Sequence, residues 1–308
     1  MKKYQKNRWL VVITGPTASG KTDIAISIAR WFNTEIISAD SRQFYKEIPI
    51  GTAAPLPSQL KLVKHHFVGH LSIHDQYNVS KYQSEVLSLL EKLWERNNVV
   101  VMAGGSGLYI NAVCNGIDEL PDPDTLLRKQ LENTFHEKGI AALQEQLKIL
   151  DPEFYNQVDL KNPKRLMRAI EVCLQTGKKY SSLRKNRPQP RNFNILKIGL
   201  ELPRNELFER INMRTGKMIN AGWLQEAENV FPWRHLNALN TVGYKELFDY
   251  LQGKTDLDFA IEKIKTNTRR YAKRQITWFK KDDDIHMFSP HSVKNIIDFI
   301  EKTVLHKR

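Results

Sequence analysis

Short apolar runs and amphipathic stretches alternate along the first third of the chain. Residues 9–13 and 99–102 are continuous apolar runs rich in β-branched residues, and residues 35–38 (EIIS) are typical of a second short buried strand. Residues 78–96 instead repeat apolar side chains at helical spacing. Because the runs are separated by the length of a βαβ crossover, the pattern predicts an α/β fold with a parallel sheet.

The middle of the chain has a different pattern, since it is charged, interrupted by prolines and helical in period. Its helical segments begin near four residues: Asp122, Ile140, Pro152 and Pro163. Strand character returns at residues 193–202, and Pro203 is well placed to begin a helix. These changes predict two domains: a core of residues 1–118 and 193–308, and an inserted all-helical domain of residues 119–192.

A glycine-rich loop follows the first apolar run. Gly15, Gly20, Lys21 and Thr22 have the spacing G-x-x-x-x-G-K-[ST] of a phosphate-binding loop (P-loop) between a strand and a helix. Backbone N–H groups, the helix N-terminus and the lysine would face an anion, and the threonine hydroxyl is a usual Mg²⁺ ligand. The predicted phosphate-binding residues are Gly15, Pro16, Thr17, Ala18, Ser19, Gly20, Lys21 and Thr22, with Mg²⁺ on Thr22. The motif leaves open whether a nucleotide or another diphosphate ester binds.

The helix after this loop is predicted to bury one face. The apolar residues at helical spacing are Ile24, Ile28 and Trp31.

Polar residues follow the other two predicted strands. Asp40 comes after residues 35–38, and Ser106 lies in the turn after residues 99–102. Because ligands bind at the carboxyl edge of an open α/β sheet, both are expected near Lys21. Asp40 could equally be a cap or turn residue, and capping is the commoner role of a serine such as Ser106. No aspartate of the Walker-B kind ends residues 99–102, which argues against nucleotide hydrolysis.

The charge of the chain favours a polyanionic partner. Lys and Arg number 47 against 34 Asp and Glu, a net charge of +13 in 308 residues. Residues 161–191 contain a single acidic residue, Glu171, among many basic ones. Residues 258–281 are predicted to form a basic amphipathic helix that also carries Tyr271, which suits RNA, although we assign Trp278 and Phe279 to the core. A strand at residues 285–288 and a helix at residues 292–305 follow.

Cysteine and histidine give no metal signature. Cys114 and Cys173 have neither metal-site spacing nor the pattern of a disulfide framework, which fits a reducing cytosol. The histidines at positions 65, 66, 70 and 74 match no ligand spacing, so structural or substrate contacts are expected. No apolar run is long enough to span a bilayer. We expect a cytoplasmic protein that is monomeric and not bound to a membrane.

Several ordered motifs together resemble the bacterial tRNA dimethylallyltransferase family, also called tRNA isopentenyltransferases. They are GPTASGKT (15–22), DSRQFY (40–45), IGTAAP (50–55), the pair His65-His66, GGSGLY (104–109), NPKRLMRAIE (162–171), VGYKE (242–246) and KRQITWF (273–279). The family usually has Thr at the position of Ser106 and often has Pro at the position of Lys64. The first difference keeps a hydroxyl, and the second affects no catalytic group.

The resemblance implies a P-loop kinase-like core with an inserted helical domain. It also implies transfer of a dimethylallyl group from dimethylallyl diphosphate to N6 of adenosine 37 in the anticodon stem-loop of tRNA, with release of diphosphate. The P-loop would then hold a prenyl diphosphate instead of ATP. Asp40 would accept the N6 proton or orient N6, Ser106 would bond near the reacting centre, and Lys21 and Arg214 would stabilise diphosphate.

The resemblance also implies a set of tRNA contacts from both predicted domains. They are Asp40, Ser41, Arg42, Gln43, Ser106, Arg128, Lys164, Arg165, Leu166, Met167, Arg168, Gly243, Lys273, Arg274, Gln275, Trp278 and Lys280.

Two other classes of protein share part of this pattern. A P-loop kinase for a nucleotide or another small molecule would have the same loop and an Asp after the second strand. A non-catalytic RNA-binding protein with a vestigial loop is the third interpretation, and the intact Lys21 and Thr22 argue against it.

Overall fold

A computed structural model describes residues 8–185 and 187–306. In this part of the chain six strands form one sheet, and the named pairings are all parallel, as predicted. The strands are β1 (Trp9–Thr14), β2 (Ile36–Ser38), β3 (His65–His66), β4 (Val99–Gly104), β5 (Asn194–Leu200) and β6 (Ile285–Phe288). Their order is β3-β2-β4-β1-β5-β6, which puts β1 between β4 and β5.

Helices connect these strands and continue between β5 and β6. They are α1 (Lys21–Trp31), α2 (Pro57–Leu62), α3 (Val79–Trp94), α4 (Gly107–Asn115), α5 (Thr125–Leu150), α6 (Pro152–Tyr155), α7 (Pro163–Thr176), α8 (Tyr180–Leu183), α9 (Arg204–Asn220), α10 (Trp223–Val230), α11 (Tyr244–Leu251), α12 (Leu257–Phe279) and α13 (Val293–His306). No helix in the described ranges is both long and apolar enough to cross a bilayer.

Both faces of the sheet are covered, which explains why β1 is a continuous apolar run instead of an alternating one. Val11 and Ile13 join one buried cluster with residues of α1 and α13, whereas Leu10 and Val12 join another with residues of α3 and α4. The prediction that Trp31 lies on the buried face of α1 is wrong. Its ring is 59% exposed, and its indole nitrogen donates a hydrogen bond to Glu301 on α13.

The chain divides into two compact units, one formed by residues up to Cys114 and from Arg191 onward, the other by Asn115–Pro190. The second unit contains α5 to α8, in agreement with the helical pattern of this stretch. Leu143 and Leu147 of α5 pack against Leu166 and Ile170 of α7 in a core of its own.

The carboxyl ends of β1, β2 and β4 bring three loops to one edge of the sheet. Thr14 pairs with Gly104, and Ser38 pairs with Ala103, so the segments after these residues start side by side. A β-carbon on Gly104 would lie 2.2 Å from the carbonyl oxygen of Ala39. Glycine at this position therefore allows β2 and β4 to deliver their loops at close range.

Candidate active site

The loop between β1 and α1 has the backbone of a phosphate-binding loop. Gly15 has a φ of 149° and Gly20 a φ of 88°, in a region that favours glycine, and Ala18 also has a positive φ of 66°. The ammonium group of Lys21 donates a 2.7 Å hydrogen bond to the carbonyl oxygen of Pro16 and so lies across the loop. The first N–H groups of α1 have no intrahelical acceptor, and they open toward the same space.

Three cations of α9 lie along a cavity of about 480 Å³ above this loop. Arg210, Arg214 and Lys217 recur at spacings of four and three residues, which puts them on one face of the helix. The Arg214 guanidinium donates a short hydrogen bond to the hydroxyl of Thr17. Arg214 therefore lies where it was predicted, whereas Arg210 and Lys217 were missed although their helical spacing from Arg214 could have identified them.

Burial in the cavity wall changes the charge balance of Lys21. The pKa of its ammonium group is lowered to about 8, chiefly by loss of hydration; the Asp40 carboxylate opposes this effect and the nearby Arg214 adds to it. Lys21 is therefore mostly protonated at neutral pH and loses its proton only as the pH rises through about 8.

Asp40 lies where this cavity meets a second, smaller one of about 100 Å³. The wall residues common to the two cavities are Thr17, Asp40, Thr52, Ala53, Arg214 and Tyr271. One carboxylate oxygen of Asp40 accepts a 3.1 Å hydrogen bond from the backbone N–H of Arg42 in a turn, not at the start of an α-helix. Within the described residues the other oxygen has no hydrogen-bond partner, so a proton acceptor is free at the junction.

Ser106 acts on the segment that carries Asp40. Its hydroxyl accepts a 3.0 Å hydrogen bond from the N–H of Ser41, and its own N–H donates to the carbonyl of Ala39. Ser106 lines neither cavity. These bonds make Ser106 a support for residues 39–41, and a contact of its hydroxyl near the reacting centre stays a prediction.

Three other predicted tRNA contacts have roles inside the protein, two as hydrogen-bond donors and one in packing. The Arg42 guanidinium donates to the carbonyl oxygen of Asn237 at 2.7 Å, and the Gln43 amide donates to that of Ala53 at 3.0 Å. A β-carbon on Gly243 would lie 2.0 Å from the ring of Trp223, so this glycine is required for packing.

The C-terminal half of α12 has a buried side and an exposed side. Phe279 is buried, as predicted. The prediction that Trp278 is a core residue is wrong, because this residue is 47% exposed. The cations Lys273, Arg274 and Lys280 are exposed on the outer side. Gln275 faces inward and is only 6% exposed, which does not fit its predicted contact with tRNA.

In the helical unit the predicted tRNA contacts separate into three groups. Leu166 is fully buried, so its predicted contact with tRNA is wrong, because α7 turns this side chain into the core of the unit. Met167 is partly buried against the same core. Arg128 and Arg168 both donate to one oxygen of the buried Glu171, at 2.7 and 2.9 Å. Lys164 and Arg165 are the predicted contacts that remain exposed.

A resident metal centre is not built from side chains in the described residues, since no cluster of three or more His, Cys, Asp or Glu could hold an ion there. The two histidines of the edge strand β3 make other hydrogen bonds. The ring of His66 bonds to the Glu35 carboxylate, and the ring of His65 bonds to the carbonyl oxygen of Val63. Thr22, the predicted Mg²⁺ ligand, lines the larger cavity together with Asp23 and Asp40.

Comparison with known proteins places the chain among related sequences. Residues 43–282 match the model of a family described as IPP transferase. The chain is 50% identical to tRNA dimethylallyltransferase 1 of Bacteroides fragilis (strain YCH46) over 96% of this chain and 98% of the relative. It is 52% identical to tRNA dimethylallyltransferase 2 of Azobacteroides pseudotrichonymphae genomovar. CFP2, over 93% of each. The crystal structure of the full-length tRNA isopentenylpyrophosphate transferase from Bacillus halodurans has a TM-score of 0.72 and 32% identity, covering 98% of both chains.

Proposed function

This chain belongs to the IPP transferase family, and from that premise we propose that it transfers a dimethylallyl group from dimethylallyl diphosphate to N6 of adenosine 37 in tRNA, releasing diphosphate. The observation that carries the proposal is the position of Asp40. A free carboxylate oxygen lies at the junction of a cation-lined P-loop cavity and a second cavity. The reaction needs cations for the leaving diphosphate and a proton acceptor for the attacking amine, and the two must lie next to each other.

The P-loop cavity supplies the charge for the leaving group. Lys21, Arg214 and the N-terminus of α1 face the space in which a diphosphate would lie. As the bond from C1 of the dimethylallyl group to the bridging oxygen breaks, its electron pair goes to the diphosphate, and these groups stabilise the added charge.

The amine and the proton are handled on the side of Asp40. The lone pair of N6 forms the new bond to C1, and the N6 proton passes to the Asp40 carboxylate. The hydrogen bond that the N–H of Arg42 donates to Asp40, and the one that the N–H of Ser41 donates to the Ser106 hydroxyl, hold the carboxylate in place. Asp40 therefore accepts the N6 proton, whereas Ser106 positions Asp40.

Mg²⁺ fits this cavity if the substrate supplies most of its ligands. The Thr22 hydroxyl and the side chains of Asp23 and Asp40 are among the groups that line the cavity, and the described residues contain no preformed acidic cluster. Mg²⁺ usually takes few protein ligands and the remainder from phosphates and water. We propose Thr22 as its ligand; when bound, the ion would neutralise charge on the diphosphate.

The exposed cations are proposed to hold tRNA. Five exposed cations are free to contact phosphates: Lys273 and Arg274 on α12, Lys280 directly after this helix, and Lys164 and Arg165 on α7. Such contacts would offset the few kcal/mol that it costs to take the adenosine out of the anticodon stack. We expect a monomer that works in the cytoplasm, where unmodified tRNA is its substrate.

The proposal is tested by incubating the protein with unmodified tRNA and labelled dimethylallyl diphosphate, and in parallel with ATP labelled on its terminal phosphate. We expect label on tRNA only from the prenyl donor. Label transferred from ATP to any acceptor, with none from dimethylallyl diphosphate, would instead support a kinase. Binding of tRNA without any transfer would support a non-catalytic RNA-binding protein.

A further inference from the structure

Gln275 joins two of the loops that form the active-site edge. Its amide oxygen accepts a 2.8 Å hydrogen bond from the backbone N–H of Thr17 in the P-loop. Its amide nitrogen donates a 2.8 Å hydrogen bond to the carbonyl oxygen of Gly105, in the turn after β4. Both ends of the amide are therefore occupied inside the protein.

The surroundings of Gln275 leave little room for another arrangement. A β-carbon on Gly105 would lie 2.3 Å from the Gln275 amide nitrogen, so the contact depends on glycine there. The neighbouring positions Ala272 and Phe279 are also buried, which fixes this side of α12 toward the core. A nucleic acid on the outer side of α12 would meet Lys273, Arg274 and Lys280 instead.

The bond to Thr17 matters because Thr17 links two parts of the diphosphate site. Its hydroxyl accepts a hydrogen bond from the Arg214 guanidinium, and the backbone of its neighbour Ala18 is in the left-handed region. The Gln275 oxygen holds the N–H of Thr17 on the α12 side of the loop, and this sets the direction of its hydroxyl. Without that bond, Thr17 could turn and the contact to Arg214 would loosen.

We infer that Gln275 is a positioning residue that keeps the P-loop in its diphosphate-binding shape, and that it is not a tRNA contact. The inference rests on the proposed function, because it takes diphosphate as the ligand of the loop. It predicts that Gln275 governs the affinity for dimethylallyl diphosphate, whereas the cations beside it on α12 govern the affinity for tRNA.

The test compares two ligands in the full-length protein. Gln275→Met keeps the length of the side chain but leaves the N–H of Thr17 and the carbonyl of Gly105 without partners. We expect the Kd for inorganic pyrophosphate with Mg²⁺ to rise about tenfold or more, because the free energy cost of an unsatisfied buried donor corresponds to about that factor in an equilibrium constant. The Kd for tRNA should stay within about twofold. In turnover, KM for dimethylallyl diphosphate should rise while KM for tRNA stays unchanged.

A matched control lies two residues away. Thr277 is exposed on the same helix, and its hydroxyl bonds only to the carbonyl of Lys273 within the described residues. Thr277→Ala should change neither Kd. If Gln275→Met does not fold, Gln275→Asn, whose amide is one methylene shorter and no longer reaches the N–H of Thr17, should show the same selective loss of pyrophosphate affinity.

The outcomes separate this inference from the proposed function. Weaker tRNA binding with unchanged pyrophosphate binding in the Gln275 variants would overturn the inference, and so would two unchanged constants. Wild-type protein that binds neither pyrophosphate nor dimethylallyl diphosphate would contradict the proposed function itself. Selective loss of pyrophosphate affinity in the variants, with wild-type transfer intact, supports both.

Discussion

The protonation of Lys21 makes diphosphate binding dependent on pH. Burial lowers the pKa of its ammonium group to about 8 in the ligand-free protein. The protonated fraction then falls from about 90% at pH 7 to half at pH 8 and about 10% at pH 9. A diphosphate beside Lys21 favours the charged form and raises this pKa, so binding must be accompanied by proton uptake.

The size of this uptake follows from the same fractions. If the bound anion keeps Lys21 fully charged, the site takes up about one tenth of a proton at pH 7 and about nine tenths at pH 9. Isothermal titration of pyrophosphate with Mg²⁺, in two buffers of different ionisation enthalpy, measures this number. Lys21→Arg is the reference, because its guanidinium stays protonated, and the difference between the proteins cancels the titration of pyrophosphate itself. Equal uptake by both proteins at pH 9 would refute the argument.

The lowered pKa of Lys21 also predicts an effect on stability. In the unfolded chain this group has its ordinary pKa of 10.5, so between pH 8 and pH 10.5 the unfolded state binds more protons than the folded state. The contribution of Lys21 to the free energy of unfolding therefore rises with pH across this window and is unfavourable below it. Lys21→Met should raise the thermal midpoint at pH 7 while it weakens pyrophosphate binding. A lower midpoint would contradict the burial cost that we assign to Lys21.

Three further variants test Asp40, two exposed cations of α7 and a buried carboxylate. Asp40→Asn should lower the single-turnover rate of transfer by about 10²-fold or more while pyrophosphate affinity stays within a few-fold, because the amide cannot accept the N6 proton; near wild-type transfer would remove Asp40 from the mechanism. Replacing Lys164 and Arg165 with Gln should reduce the slope of log K for tRNA against log salt by roughly 0.7 to 0.9 per lost phosphate contact, and an unchanged slope would show that these side chains only face solvent. Glu226 is 8% exposed and accepts hydrogen bonds from the N–H groups of Ile50 and Gly51 at 2.8 and 2.7 Å. Glu226→Gln should lower the free energy of unfolding in urea by about 1 to 3 kcal/mol. An unchanged urea midpoint would show that these bonds do not stabilise the fold.

Local patterns in the sequence predicted the parallel sheet and the meeting of the P-loop with Asp40, because strand ends of a parallel sheet share one edge. The orientation of single side chains was harder to predict. Gln275 was assigned to tRNA together with its neighbours Lys273 and Arg274, yet the helix turns Gln275 inward. Leu166 was misassigned for the same reason, since it lies within a basic segment but on the core side of α7.

The exposure of Trp31 depended on a contact that no local pattern contains. Its partner Glu301 is distant in sequence and reaches the indole only because α13 packs beside α1. The bonds of Gln275 to Thr17 and Gly105 likewise join three separate segments of the chain. Such long-range pairs follow from the assembled fold and not from the period of any one element.

The most direct test of the account uses two synthetic anticodon stem-loops and labelled dimethylallyl diphosphate. One carries adenosine at position 37, and the other carries purine riboside, which lacks the 6-amino group but keeps the ring. We predict that wild-type protein with Mg²⁺ labels the first stem-loop and leaves the second unlabelled, although both bind with similar affinity. Equal labelling of the two stem-loops would contradict the claim that N6 is the nucleophile whose proton Asp40 accepts.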